Sequence, residues 1–151
     1  MAEVQSFSRK MIQNYLDSTD LRYLINREGD FIIEFAYDAE IDAELTFSLL
    51  AGGTNNQIYV ITCHSNKRYG REEWPRIVYL CNRWNAERRW PKAYLYVKDP
   101  KVDQEGVILL EEQLDLEKGV HQELLSDFTE TVISAGSQFW IWFKDYGVRG
   151  L

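Results

Sequence analysis

The residues in this chain that could do chemistry are few and scattered. Cys63 and His64 are adjacent, and a thiol beside an imidazole is the beginning of a covalent catalyst. Nucleophile and base must meet in space, however, and neighbours on a strand point to opposite faces, so no dyad is expected there. His121 has no Glu-x-x-His partner, which removes the usual route to a zinc site. Asp38, Glu40, Asp42 and Glu44 invite a calcium reading, but DAEIDAE lacks both the glycine at a sharp turn and the converging ligands that such a loop needs. Ala51 to Asn56, AGGTNN, has the glycines of a phosphate cradle without the Gly-Lys-Ser/Thr that should follow, and the next element reads as a strand, so a helix dipole is missing. These residues predict no catalytic centre, no metal and no cofactor. One cluster stays open: Asn82, Asn85, Arg88 and Arg89 could hold a small ligand or anion. Their plainer use is structural, with Asn capping a helix end and its neighbouring strand and Arg lying over Trp84 or Trp90.

Those four side chains must be positioned by the stretch from Trp74 to Val97. Pro75 suits the first turn of a helix, and Glu72 and Glu73 place negative charge at its positive end. Ile77, Leu80, Cys81 and Trp84 then recur at three and four residues as one apolar stripe, with Arg76, Arg83, Glu87 and Arg88 mostly on the other side. Pro91 biases Trp90 away from helical geometry. Beyond it, Ala93, Leu95 and Val97 alternate with Tyr94, Tyr96 and Lys98 as in a half-buried strand.

Within this stretch, Asn82-Arg83-Trp84-Asn85 followed by Arg89-Trp90-Pro91-Lys92-Ala93-Tyr94-Leu95 resembles the N-x-W-N…R-x-P-K-A-Y-L signature of the bacterial YbjN family. Gly119-Val120 opening a last amphipathic helix fits as well, and the resemblance runs from about Met11 to Phe143. It implies an α+β fold similar to type III secretion chaperones, a regulatory role in sensory transduction and no known catalytic residues. It makes Asn82, Trp84, Asn85, Trp90 and Pro91 motif residues, best read as structural.

The remaining elements follow from hydrophobic periodicity. A first helix carries Phe7, Met11, Ile12, Tyr15 and Leu16, with Ser6 or Ser8 at its cap. Strands are expected at Leu21 to Asn26, Phe31 to Asp38, Leu45 to Leu50, Gln57 to Cys63, Ala93 to Val97 and Val107 to Leu116, with Ser65 to Gly70 as a loop. The final helix, from Val120 to about Tyr146, has an inward stripe of Leu124, Leu125, Phe128, Val132, Ala135, Phe139, Trp142 and Phe143, and Gly147 to Leu151 ends it. The order α-β-β-β-β-α-β-β-α predicts one domain over residues 1–151. In it, a single, largely antiparallel sheet of about five to six strands is covered by helices.

Composition narrows function further. A content of 45% hydrophobic residues argues against disorder, and no apolar run approaches the ~20 residues of a membrane span. MAEVQSFSRK has no apolar core of a signal peptide, so a cytoplasmic protein with reduced, buried Cys63 and Cys81 is expected. A net charge of −7 argues against nucleic acid as the main partner. The charge is segregated: Lys67 to Lys92 holds eight of the seventeen basic residues, whereas Asp99 to Glu130 carries ten acids against two lysines. Ile133, Trp140 and Ile141 fall off the inward stripe of the last helix: such side chains either pack on a neighbouring loop or helix or serve as anchors for a partner protein or a second copy in a homodimer, and they are the partner-binding candidates. The sequence thus points to a non-enzymatic protein-interaction module, chaperone-like or regulatory, with a small-ligand or anion regulator at Arg88 and Arg89 as the alternative.

Overall fold

The structure is a computed structural model that describes residues 3–149. Helix α1 spans Arg9–Asp17, α2 Trp74–Glu87 and α3 Gln122–Arg149; the strands are β1 Leu24–Ile25, β2 Phe31–Asp38, β3 Ala43–Gly52, β4 Ile58–Ser65, β5 Tyr69–Gly70, β6 Lys92–Tyr96 and β7 Glu105–Asp115. Among the described residues these seven strands form one antiparallel sheet in the order β1-β2-β3-β4-β7. β6 lies on the other edge of β7, and β5 pairs with its first residues. This is the expected α+β architecture with one strand more than expected.

The period of two places one residue of each strand in a common row. Ile33, Phe47, Cys63, Leu110 and Ala93 are register partners across five strands, and all are buried. All three helices contribute to the core cluster built on this row. The neighbouring row of Ile32, Ser48, Thr62, Glu111 and Lys92 belongs to the opposite face and is half-buried to exposed. Cys63 and His64 point to opposite faces, with the thiol in the core and the imidazole exposed.

Two strands differ from expectation. Leu21 to Asn26 pairs only at Leu24–Ile25, because Tyr23 is turned to donate to Asp17 and to set its ring against Phe31, and Asn26 is taken up in closing the turn to Asp30. Tyr69–Gly70, expected as loop, pairs with Gly106 and Glu105. Its signal was hidden by the basic residues before it.

The last helix sits one notch away from its expected face. Its buried residues are Leu125, Thr129, Val132, Ile133, Gly136, Phe139, Trp140 and Phe143, whereas Leu124 is 50% exposed. At ~100° per residue, Thr129 and Gly136 lie at the middle of this arc, and neither is a residue that hydrophobic periodicity counts. Each has a physical reason to be there. A Cβ on Gly136 would stand 3.1 Å from the ring of the fully buried Phe47, so glycine lets α3 lie close on the sheet. Thr129 Oγ1 donates to the Leu125 carbonyl at 2.7 Å, which leaves it to accept the Tyr59 hydroxyl at 2.6 Å. Both polar groups are thereby satisfied inside the core. Gly119, at φ +92, turns the chain into this helix beside the paired backbones of Gln5 and Val120, and His121 Nδ1 then accepts the Leu124 N–H at 3.0 Å. His121 is thus a helix cap. The helix continues through Arg149, past the expected stop at Gly147; Gly150 and Leu151 lie outside the described residues. Ser8 does occupy the cap position of α1, though without a side-chain hydrogen bond.

Both cysteines are free and buried. Burial pushes each thiol up to about 12, the Trp140 side chain opposing this slightly at Cys63. A folded-state value raised above the ~8.5 of a free thiol means that the fold favours the protonated form. Stability should therefore fall as pH rises from ~8.5 toward 12, and native protein at pH 8 should resist iodoacetamide. Mass spectrometry checks this: no adduct is expected on the folded chain and two on the denatured one.

Candidate functional site

The motif residues meet where α2 hands over to β6. Trp84 is 2% exposed, and its indole N–H donates to the Pro91 carbonyl at 2.8 Å. The Asn85 amide spans the same junction: it donates to the Ala93 carbonyl and accepts the Ala93 N–H, both at 2.9 Å. Ala93 faces Leu110 of β7 on its other side, so Asn85 satisfies the edge of β6 as a further strand would. The peptide bond between Trp90 and Pro91 is cis. Trp84 and Asn85 thus tie the end of α2 to Pro91 and Ala93 at the start of β6. Asn85→Ala would leave two backbone groups of β6 to water and should cost about 1–2 kcal/mol, read from the denaturant midpoint.

The other two motif residues differ. Trp90 is 38% exposed. Asn82 is exposed one turn before Asn85, and among the described residues its amide has no hydrogen-bond partner. The Arg88 guanidinium lies 5.2 Å from the centre of the Trp84 ring, the stacking expected, and Arg89 is exposed beside it. A cleft of about 490 Å³ lies elsewhere, lined by Arg68, Tyr96, Lys98, Asp103 and Glu105 among others, with charges of both signs. In the acidic turn, Asp42 accepts from Tyr37 at 2.7 Å and from Lys67 at 3.2 Å, and these bonds hold its carboxyl below the usual range. No group of three or more His, Cys, Asp or Glu residues is close enough to hold a metal among the described residues.

The expected anchors on α3 are corrected. Ile133 is 8% and Trp140 3% exposed, and Trp140 packs edge-on against Phe139 and Phe143. Both belong to the core because the buried arc of α3 is centred on Thr129 and Gly136. Ile141 is half-buried.

An unforeseen surface is the outward side of α2. Pro75, Tyr79, Asn82 and Ala86 lie opposite the stripe of Ile77, Leu80, Cys81 and Trp84, with Val78 beside them. Val78 is 54% and Tyr79 47% exposed. None of these five residues is charged, but Arg83 borders them and donates to the Tyr79 hydroxyl at 3.4 Å. The charges flank this side, where Arg83 pairs with Glu87 at 2.7 Å, or stand at the ends, with Glu72 and Glu73 at the start and Arg88 and Arg89 after the last turn. None of these four terminal residues forms an ion pair with another described residue. A solvent-facing helix side is normally charged, and this one carries exposed apolar and neutral residues instead. The signal is visible in the sequence once positions opposite the core stripe are tested for the absence of charge.

The described residues contain no helix long and apolar enough to cross a membrane. The fold superposes on the crystal structure of YbjN from E. coli, described as "a putative transcription regulator", with a TM-score of 0.74 at 10% identity over 96% of this chain and 97% of that one. Such low identity shows a shared fold alone. None of the curated proteins matches the sequence. Residues 8–145, which hold the whole α2–β6 junction, match the family model described as "Putative bacterial sensory transduction regulator", and the chain accordingly belongs to the YbjN family.

Proposed function

We propose that this YbjN-family domain is a non-enzymatic, chaperone-like regulatory module that acts by binding another protein, with the outward side of α2 as its contact surface. The observation that carries this reading is the uncharged strip of Pro75, Val78, Tyr79, Asn82 and Ala86. Exposed apolar groups with a polar rim are the composition of a protein contact, and Tyr supplies contact area at low entropic cost. The regulatory description of the family and of its E. coli member agrees with it. The net charge of −7 favours a protein partner over a nucleic acid. An anion site at Arg88 and Arg89 has less support, because Arg88 is committed to the face of Trp84.

Quantitative affinity capture tests the reading. Tyr79→Arg combined with Val78→Asp should deplete specifically bound proteins at least tenfold relative to the unaltered chain, while Glu117→Lys in the turn after β7 should change nothing. The same bound set for all three proteins would contradict it.

A further inference from the structure

Independently of the α2 surface, we infer that the cleft at the start of β7 binds a small zwitterion of dipeptide size, a molecule with an ammonium group and a carboxylate at separate ends of an apolar body. The segregated charges of the chain converge there. Arg68 belongs to the basic stretch from Lys67 to Lys92, whereas Asp103 and Glu105 belong to the acidic stretch from Asp99 to Glu130. Pairing with β7 brings the two together: β5 sets Tyr69 opposite Gly106 and Gly70 opposite Glu105, and β6 sets Tyr96 opposite Val107. Lys98 follows directly after β6 and lines the same cleft.

Floor and rim suit different parts of one molecule. Tyr96 and Val107 are register partners on the sheet face opposite to the buried row, and Tyr96 is 47% exposed, so together they supply an apolar floor. The rim carries two cations, Arg68 and Lys98, and two acids, Asp103 and Glu105, around about 490 Å³, within the ~300–1,000 Å³ of small-ligand sites. These opposite charges do not neutralise one another: none of the four forms an ion pair among the described residues. Arg68 therefore keeps the planar fork that grips a carboxylate in two bonds. Asp103 spends one carboxylate oxygen on the Asp99 N–H at 2.9 Å, which leaves the other to receive an ammonium group. A simple anion would meet two carboxylates as well as the two cations, and a simple cation the reverse, so a molecule bearing both charges is the one that the rim complements.

The size of the ligand follows from where the charges come from. They project from three separate segments, the loop before β5, the turn between β6 and β7, and the first residue of β7, whereas a free amino acid carries both of its charges on one carbon. A dipeptide separates them and brings a side chain for the floor. Because the rim is open to water, a Kd of about 0.1–3 mM is expected, weakening as salt rises.

Amide NMR spectra of the full chain, titrated with glycyl-L-phenylalanine to about 10 mM, test the inference. The signals of Tyr96, Gly106 and Val107 should move along one saturating curve. The N-acetylated and the C-amidated dipeptide each lack one charge, and each should bind at least about fivefold more weakly. Arg68→Gln and Glu105→Gln should each weaken the parent dipeptide by a similar factor, and the rest of the spectrum, unchanged, shows that these variants remain folded. No shift at the highest concentration, equal binding by the two blocked dipeptides, or variants that both bind as the unaltered chain does would overturn the inference.

Discussion

Trp84→Ala should lower stability by about 3–5 kcal/mol, the range for truncating a large buried aromatic residue. Trp84 is 2% exposed and sits at the junction of all the elements that carry the motif. Its ring meets Phe139 at 5.1 Å and Trp142 at 5.4 Å, both edge-on, so it fastens α2 to α3. Its N–H fixes the Pro91 carbonyl, so it also holds the start of β6. Removing it opens a cavity, strips the face from under Arg88 and frees a carbonyl at once. For a domain of this size each kcal/mol shifts the melting temperature by about 2–4 °C, so a fall of about 6–20 °C is expected in a calorimetric scan. An unchanged melting temperature would contradict the packing described.

Trp140→Ala should cost a similar ~3–5 kcal/mol, and the informative comparison is with phenylalanine. The Trp140 N–H is buried with no acceptor except the weak Cys63 thiol, whereas that of Trp84 is bonded to a carbonyl. A poorly satisfied buried donor costs about 1–3 kcal/mol, which Trp140→Phe removes while keeping most of the ring. Trp84→Phe instead orphans the Pro91 carbonyl. Denaturant midpoints should therefore place Trp140→Phe within about 1 kcal/mol of the parent and Trp84→Phe clearly below it. Equal losses in the two would show that the Trp140 N–H is not the strained group.

The contrast between these tryptophans also marks how far the sequence carries. Trp84 shares a stripe with Ile77, Leu80 and Cys81, all apolar at helical spacing, so its burial was legible. Trp140 was misplaced because the centre of the buried arc of α3 is occupied by Thr129 and Gly136. One is a hydroxyl whose partner, Tyr59, lies 70 residues away, and the other is a glycine chosen for closeness to Phe47. Neither reason is local. The strands from β2 to β4 were legible because alternation reports a face directly, whereas β1 and β5 pair over two residues each and are set by tertiary contact. At the site, the structural work of Asn85 was foreseen as a kind of bond, though not its two-sided grip on Ala93. The outward side of α2 was missed for a different reason: its signal is the charge it lacks, which patterns of apolar residues do not register.

The central claim is that the outward side of α2 is covered by protein in the cell, and cross-linking from Asn82 tests it most directly. A photo-reactive residue placed there in the full chain, in living cells, should form a covalent protein adduct on illumination, and the same residue at Glu117 should form none. An adduct of twice the chain's mass would identify a second copy, and a different mass another partner. Cross-linking at position 82 no greater than at position 117 would contradict the claim.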